Sequence, residues 1–140
     1  MSKEIIYLAA PYSDPDPRVR EFRFTQANKA AAVLIGNGHH VYSPISMGHP
    51  ISLYGDVPTD WEFWKDFDLE LLSRCGELCI LWVPATFKST GVIAEIKAAV
   101  MQDMRVSVIE PGDLDRTIHF DYLLGNALLN ILSEKHTTGN

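Results

Sequence analysis

The sequence predicts an α/β fold: one domain on a doubly wound parallel sheet, Rossmann- or flavodoxin-like, with helices on both faces. Three observations lead there. Short, continuously apolar runs at residues 4–10 and 78–83 have the composition of strands buried on both sides. Longer segments between such runs carry apolar residues at helical spacing. The two kinds alternate along a chain of 140 residues, and strand-helix-strand alternation implies parallel pairing through right-handed crossovers.

The elements follow in order. Residues 4–10 form the first strand, which Pro11 stops. The loop Tyr12-Ser13-Asp14-Pro15-Asp16-Pro17 is turn chemistry throughout, and Asp16 before Pro17 suits an N-cap with proline at the first helical position. The helix that follows carries Val19, Phe22, Gln26, Ala30, Val33 and Leu34 on one stripe and ends at Gly36-Asn37-Gly38. Residues 39–43 read as the second strand. Residues 44–59 show no clear period and read as a long loop, a kind that is often functional. Thr59 and Glu62 fit a capping box for a helix running to about Cys75, with Trp61, Trp64, Leu71, Leu72 and Cys75 on its apolar stripe. The third strand spans 78–83 and the third helix 89–102, buried through Val92, Ile93, Ile96, Ala99 and Val100. Residues 106–109 give a fourth strand, and 114–132 a last helix. The domain is thus expected over 1–133, with a frayed tail at 134–140.

Composition narrows the function classes. Hydrophobic residues make up 46% of the chain, enough for a core. The formal net charge of −6 argues against nucleic acid as a partner, because such binding needs a basic stripe. A small anionic ligand is still compatible, since a few arginines and backbone N–H groups hold one phosphate. Cys75 and Cys79 read as reduced core thiols, and no Cys/His set has metal-ligand spacing. No cofactor or metal is expected. With neither a signal-peptide pattern at the start nor an apolar run of spanning length, a cytoplasmic protein without a membrane partner is expected.

The chemistry concentrates in a few places, each with a plain reading beside a functional one. Glu95 lies in Ser89-Thr90-Gly91-Val92-Ile93-Ala94-Glu95, after an apolar strand and at the start of a helix. It is either a surface glutamate or a carboxylate at the crevice where open α/β sheets bind ligands, placed to attack a sugar carbon. A capping role fits poorly, because the capping positions hold Val92, Ile93 and Ala94. Asp68 shares the apolar stripe of its helix. It is either a buried carboxylate satisfied by a backbone N–H or an arginine, or a proton donor or nucleobase contact. Ser89-Thr90-Gly91 is a cap and turn, or an anion seat at a helix N-terminus. Arg18, Arg20 and Arg23 are solvated charges, or one of them clamps a phosphate. His49 is a lone loop histidine. Trp61, Phe63, Trp64 and Phe67 are core or interface residues, one of which could wall a base.

Four separated pieces of this chain together resemble the nucleoside 2-deoxyribosyltransferase-like superfamily. They are Ile5-Ile6-Tyr7-Leu8-Ala9-Ala10-Pro11-Tyr12, the Asp of Asp66-Phe67-Asp68-Leu69, the apolar strand to Pro84, and the small-x-Gly-x-x-x-Glu turn ending at Glu95. Ala10-Pro11-Tyr12-Ser13 and Ser46-Met47-Gly48-His49-Pro50-Ile51 are similar to segments of a small bacterial and phage branch. The resemblance covers about three quarters of the chain. It implies an enzyme that cleaves the N-glycosidic bond of nucleosides or nucleotides: Glu95 attacks the anomeric carbon, Tyr7 orients that carboxylate, and Asp68 binds or protonates the base. It further implies substrate contacts at Pro11, Ser13, Arg23, His49, Trp64, Ser89 and Gly91.

Two departures refine the expectation. The transferases often carry Asp where this chain has Ser89, whereas the related nucleotide N-glycosidases carry Ser there against a 5′-phosphate. A hydroxyl and helix N–H groups accept a phosphate that a carboxylate would repel. Lys97-Ala98-Ala99 also replaces the usual Gly-x-Ala. The resemblance therefore points to hydrolysis of a (deoxy)ribonucleoside 5′-monophosphate with release of free base. Base exchange between nucleosides by a deoxyribosyltransferase is the nearest alternative, and a non-catalytic nucleotide-sensing module the next. It also implies a homodimer or larger homo-oligomer with a shared site, to which the last helix (His119, Tyr122, Asn126) would contribute.

Overall fold

The computed structural model describes residues 4–110 and the backbone of 113–120. Ten elements follow one another: β1 (Ile5–Ala9), α1 (Pro17–Gly36), β2 (His40–Tyr42), α2 (Pro44–Tyr54), α3 (Trp61–Leu72), β3 (Glu77–Leu81), a 3-10 turn (Pro84–Lys88), α4 (Thr90–Met101), β4 (Arg105–Glu110) and β5 (Asp113–Phe120). The sheet order is β2-β1-β3-β4-β5. The first four strands are parallel, in registers such as Tyr7 with Leu78 and Leu78 with Val106. The predicted doubly wound α/β architecture is the observed one.

Strand side chains divide the core in two, as the alternation of a pleated sheet requires. Tyr7, Ala9, Leu78, Ile80, Val106 and Val108 face α3 and α4 and pack with Leu72, Val92, Ile93 and Ile96. Ile6, Leu8, Cys79, Leu81 and Ile109 face the other way, onto Ala30, Ala31 and Leu34 of α1. With helices on both faces, β3 is buried at every position, which explains why its sequence is continuously apolar after Glu77.

Several helix ends follow local chemistry. The Asp16 side chain accepts from the Arg18 N–H with Pro17 in the first turn, and the Ser89 side chain accepts from the Val92 N–H. Beyond Asn37, the C-cap of α1, Gly38 takes φ 96, a left-handed conformation that glycine adopts without a Cβ clash. The α1 stripe differs from expectation at its start: Phe22 is 62% exposed, while Ala27 and Ala31 are buried. The small alanines let this helix approach the sheet closely.

Three expectations are corrected. Residues 44–59 are not an irregular loop, because 44–54 form α2, with Ser43 at the N-cap position and Pro44 in the first turn. This repeats the Asp16-Pro17 signature, but Gly48 and Pro50 interrupt the apolar period and hid it. Asp60, not Thr59, caps α3, its carboxylate accepting from the Phe63 N–H. The helix expected at 114–132 is instead, over Asp113–Phe120, a strand antiparallel to β4. His119 belongs to that strand, whereas Tyr122, Asn126, the remainder of the expected helix and the 134–140 tail lie outside the described residues. No helix among the described residues is long and apolar enough to cross a membrane.

Candidate active site

In this strand order the chain runs from β1 outward to β2, then returns past β1 to β3. The sheet therefore reverses its winding between β1 and β3. Loops leaving the carboxyl ends of two such strands diverge and open a crevice. A cavity of about 470 Å³ lies there, lined by the loop after β1, by α2, by the start and middle of α3, and by the first turns of α4. Ligand pockets commonly fall between about 300 and 1,000 Å³.

Two carboxyls meet in it. Glu95 projects from α4 and Asp68 from α3, and both line the cavity. Glu95 is 5% exposed and Asp68 8%. Tyr7 of β1, fully buried behind Glu95, donates its hydroxyl to Glu95 Oε2. Asp68 Oδ1 is buried and has no hydrogen-bond partner among the described residues. Neither backbone nor arginine therefore satisfies that oxygen.

Burial sets the protonation of this group. It pushes Glu95 up to about 8; the Tyr7 hydrogen bond opposes that rise and the nearby Asp68 charge adds to it. Burial alone pushes Asp68 up to about 7. It also raises Tyr7 and Tyr42 well beyond the usual phenol range, with the neighbouring carboxyls adding to the effect. The tyrosines are thus neutral phenols, and the two carboxyls titrate as a pair close to neutrality.

The α4 end of the cavity is built locally. Thr86, fully buried, accepts from the Val83 N–H at 3.1 Å and donates to the Leu81 carbonyl at 2.7 Å. These bonds fold the chain after β3 into a fixed turn that delivers Lys88, Ser89, Thr90 and Gly91 to the cavity. The first hydrogen bond closing the helix runs from the Ile93 N–H to the Ser89 carbonyl, so the amides of Thr90 and Gly91 precede it. Gly91 has a packing reason: a Cβ there would stand 3.1 Å from the Trp61 ring, so glycine lets α3 and α4 close on each other.

The opposite wall is held by long-range bonds. Arg23 Nη1 donates to the Tyr12 and Ser13 carbonyls at 3.3 and 2.9 Å, tying down the loop after β1. The Ser13 hydroxyl donates to the Thr59 carbonyl at 2.9 Å. Trp64 lines the cavity while its indole N–H donates to the Pro58 carbonyl at 2.8 Å. His49 is 4% exposed, with Nδ1 at 2.6 Å from the Tyr12 hydroxyl and Nε2 at 2.7 Å from Glu21 Oε2.

Of the residues singled out from sequence, Glu95, Asp68, Ser89, Gly91, Pro11, Ser13, Arg23, His49 and Trp64 all border this one cavity. Tyr7 does not; it acts on Glu95 from behind. Arg18 instead pairs with Asp16, and Arg20 donates to the Asp14 carbonyl. Sequence reasoning missed Tyr12, Lys88 and the Glu21 partner of His49. The Glu21–His49 pair spans 28 residues, so no local pattern signals it. Among the described residues, no group of three or more His, Cys, Asp or Glu could hold a metal ion.

Fold and site together define a doubly wound α/β domain with a carboxyl-lined cleft at the switch point of its sheet. The chain belongs to the family described as a domain of unknown function (DUF1937), whose model matches residues 4–111. Every cavity residue named here falls inside that match. No curated protein matches the chain.

Proposed function

We propose that the protein hydrolyses the N-glycosidic bond of a (deoxy)ribonucleoside 5′-monophosphate through a covalent glycosyl-Glu95 intermediate. The observation that carries this reading is the pair of buried carboxyls, Glu95 and Asp68, in one cleft beside the N-terminus of α4, one held by a tyrosine donor and the other with an oxygen, Oδ1, that has no partner among the described residues. A retaining glycosyl transfer needs such a pair: an ionised nucleophile and a protonated acid. The resemblance to the nucleoside 2-deoxyribosyltransferase-like superfamily supports the same assignment.

In the first step a Glu95 oxygen attacks C1′ and forms an ester. The C1′–N bond breaks, and its electron pair leaves on the base nitrogen, which takes the Asp68 proton. In the second step a water oxygen attacks C1′ and gives its proton to the Asp68 carboxylate, and the ester bond breaks to restore ionised Glu95. Burial raises both Glu95 and Asp68. A base seated over Asp68 removes that group's remaining exposure and raises it further, while Tyr7 and the cationic charge developing at C1′ favour ionised Glu95. The bound substrate thus moves the proton to the residue that must donate it.

Ser89, the leading amides of α4 and Lys88 form the seat for the 5′-phosphate. Arg23 holds the β1 loop and borders the same cleft, and Trp64 offers the wall for the base.

Product chromatography tests the reading. Wild type and Glu95→Gln are incubated with ribo- and deoxyribonucleoside monophosphates and with free nucleosides, with and without a second base. Free base from a monophosphate with wild type only is the expected result. A new nucleoside formed only when a second base is present would replace hydrolysis with base exchange. Nucleotide binding without any product would make the protein a sensing module.

A further inference from the structure

We infer that Glu21, His49 and Tyr12 form a hydrogen-bonded relay that fixes the Tyr12 oxygen as an acceptor for a hydroxyl of the ligand's sugar. The inference rests on the functional reading above, and it assigns a second recognition point across the cleft from Ser89.

The relay spans three elements. Glu21 lies on α1 with its side chain 61% exposed, His49 on α2 at 4%, and Tyr12 on the loop after β1. Phe24 packs against the imidazole, with ring centroids 4.4 Å apart and the planes tilted by 32°. Both ring nitrogens are engaged, at 2.7 Å to Glu21 and 2.6 Å to Tyr12. A carboxylate only accepts, so Nε2 carries the proton. In the neutral ring Nδ1 is then bare, and the Tyr12 hydroxyl must donate to it.

That commitment decides what Tyr12 offers the cleft it lines. Its one proton is used on His49, and burial raises its pKa against the opposing pull of the neighbouring Ser52 hydroxyl and Arg20 cation, which keeps it a phenol. What remains is an oxygen lone pair. A lone pair attracts a hydroxyl donor and repels a phosphoryl oxygen. A sugar hydroxyl is therefore the matching group, and the phosphate belongs at the α4 end. Tyr12 is the contacting residue; His49 and Glu21 are positioning residues.

The test is binding calorimetry in a Glu95→Gln background, which stops turnover. The probes are a ribonucleoside 5′-monophosphate and its 2′-deoxy and 3′-deoxy counterparts. Loss of one hydroxyl is expected to weaken binding by about 5- to 15-fold, the value of one hydrogen bond. With Tyr12→Phe added, that penalty should vanish, the three ligands binding alike. His49→Leu should act like Tyr12→Phe although the tyrosine remains, and His49→Gln, which still donates and accepts, should restore the penalty. Nitrogen-15 spectra of the neutral His49 ring should show a protonated Nε2 and a bare Nδ1. A full hydroxyl penalty in Tyr12→Phe, or none in the parent, overturns the inference while leaving the glycosidase reading in place. A protein that binds none of the nucleotides overturns both. A bare Nε2 overturns the relay itself, whatever binds.

Discussion

The two walls of the cleft are made differently. The α4 wall is written in adjacent residues: Thr86 fixes the turn, Ser89 caps the helix, and Glu95 follows within two turns. The α1–α2 wall is assembled from afar: Glu21 meets His49 across 28 positions, and Tyr12 meets it across 37. The first seats Glu95, the proposed nucleophile, in a buried position on α4. The second brings Glu21 of α1, His49 of α2 and Tyr12 of the loop after β1 together through side-chain hydrogen bonds. The contrast suggests that chemistry resides on the local wall and ligand discrimination on the assembled one.

Substitutions sharpen that division. Glu95→Gln should have the largest effect, lowering kcat by about 10⁴-fold or more while nucleotide binding survives, as loss of a nucleophile does elsewhere. Asp68→Asn should follow at about 10²- to 10⁴-fold, the usual share of general acid catalysis. Single-turnover base release measures both. Comparable kcat losses in Tyr12 or His49 variants would erase the distinction between the walls.

Tyr7→Phe comes next. It removes a donor to a buried carboxyl, a bond to a charged group of about 1.5–3 kcal/mol and so about 10- to 150-fold in rate. The pH profile should be bell-shaped about neutrality, because one carboxyl must be ionised and the other protonated, and the two lie near 7 and 8. Since the Tyr7 bond lowers the Glu95 value, its loss should move the limb near 8, which belongs to Glu95, to higher pH. A rate loss with an unmoved limb would show that Tyr7 serves packing only.

Stability gives a smaller, independent signal. Both carboxyls hold protons more tightly folded than unfolded, where they titrate near pH 4. The folded state thus binds more protons between about pH 4 and pH 8, and stability falls as pH rises through that window. Glu95→Gln should therefore raise Tm by a few degrees at pH 8 and little at pH 4.5, read by thermal melts at both. The smallest effect is expected of Ser89→Ala. Loss of the cap costs about 1 kcal/mol of stability, and KM should rise for the monophosphate but not for the free nucleoside.

Much of this was legible in the residues. Continuous apolarity marked β1 and β3, and the cap chemistry of Asp16 and Ser89 set two helix starts. Asp68 stood out because a carboxylate on an apolar stripe is costly, and it lies buried in the cleft. The missed parts have separate causes. Helix α2 is held by tertiary bonds, including Ser46 to Asn28, that outweigh the poor helix propensity of Gly48 and Pro50. The alternation of Leu114, Ile118 and Phe120 with polar residues signals β5, which pairs with β4, but the helical spacing from Leu123 onward obscures it. Asp60 displaced Thr59 as the cap because two candidates stood side by side.

The most direct test of the account is to trap the intermediate. In a 2′-fluorinated nucleoside 5′-monophosphate the fluorine opposes the cationic charge at C1′ in both steps, and an activated base as leaving group lets the ester form faster than water removes it. Digestion and mass spectrometry after one turnover should find a fluoro-sugar phosphate on Glu95, with one equivalent of free base. Base released while the Glu95 peptide stays unmodified would contradict the covalent glycosyl-Glu95 mechanism.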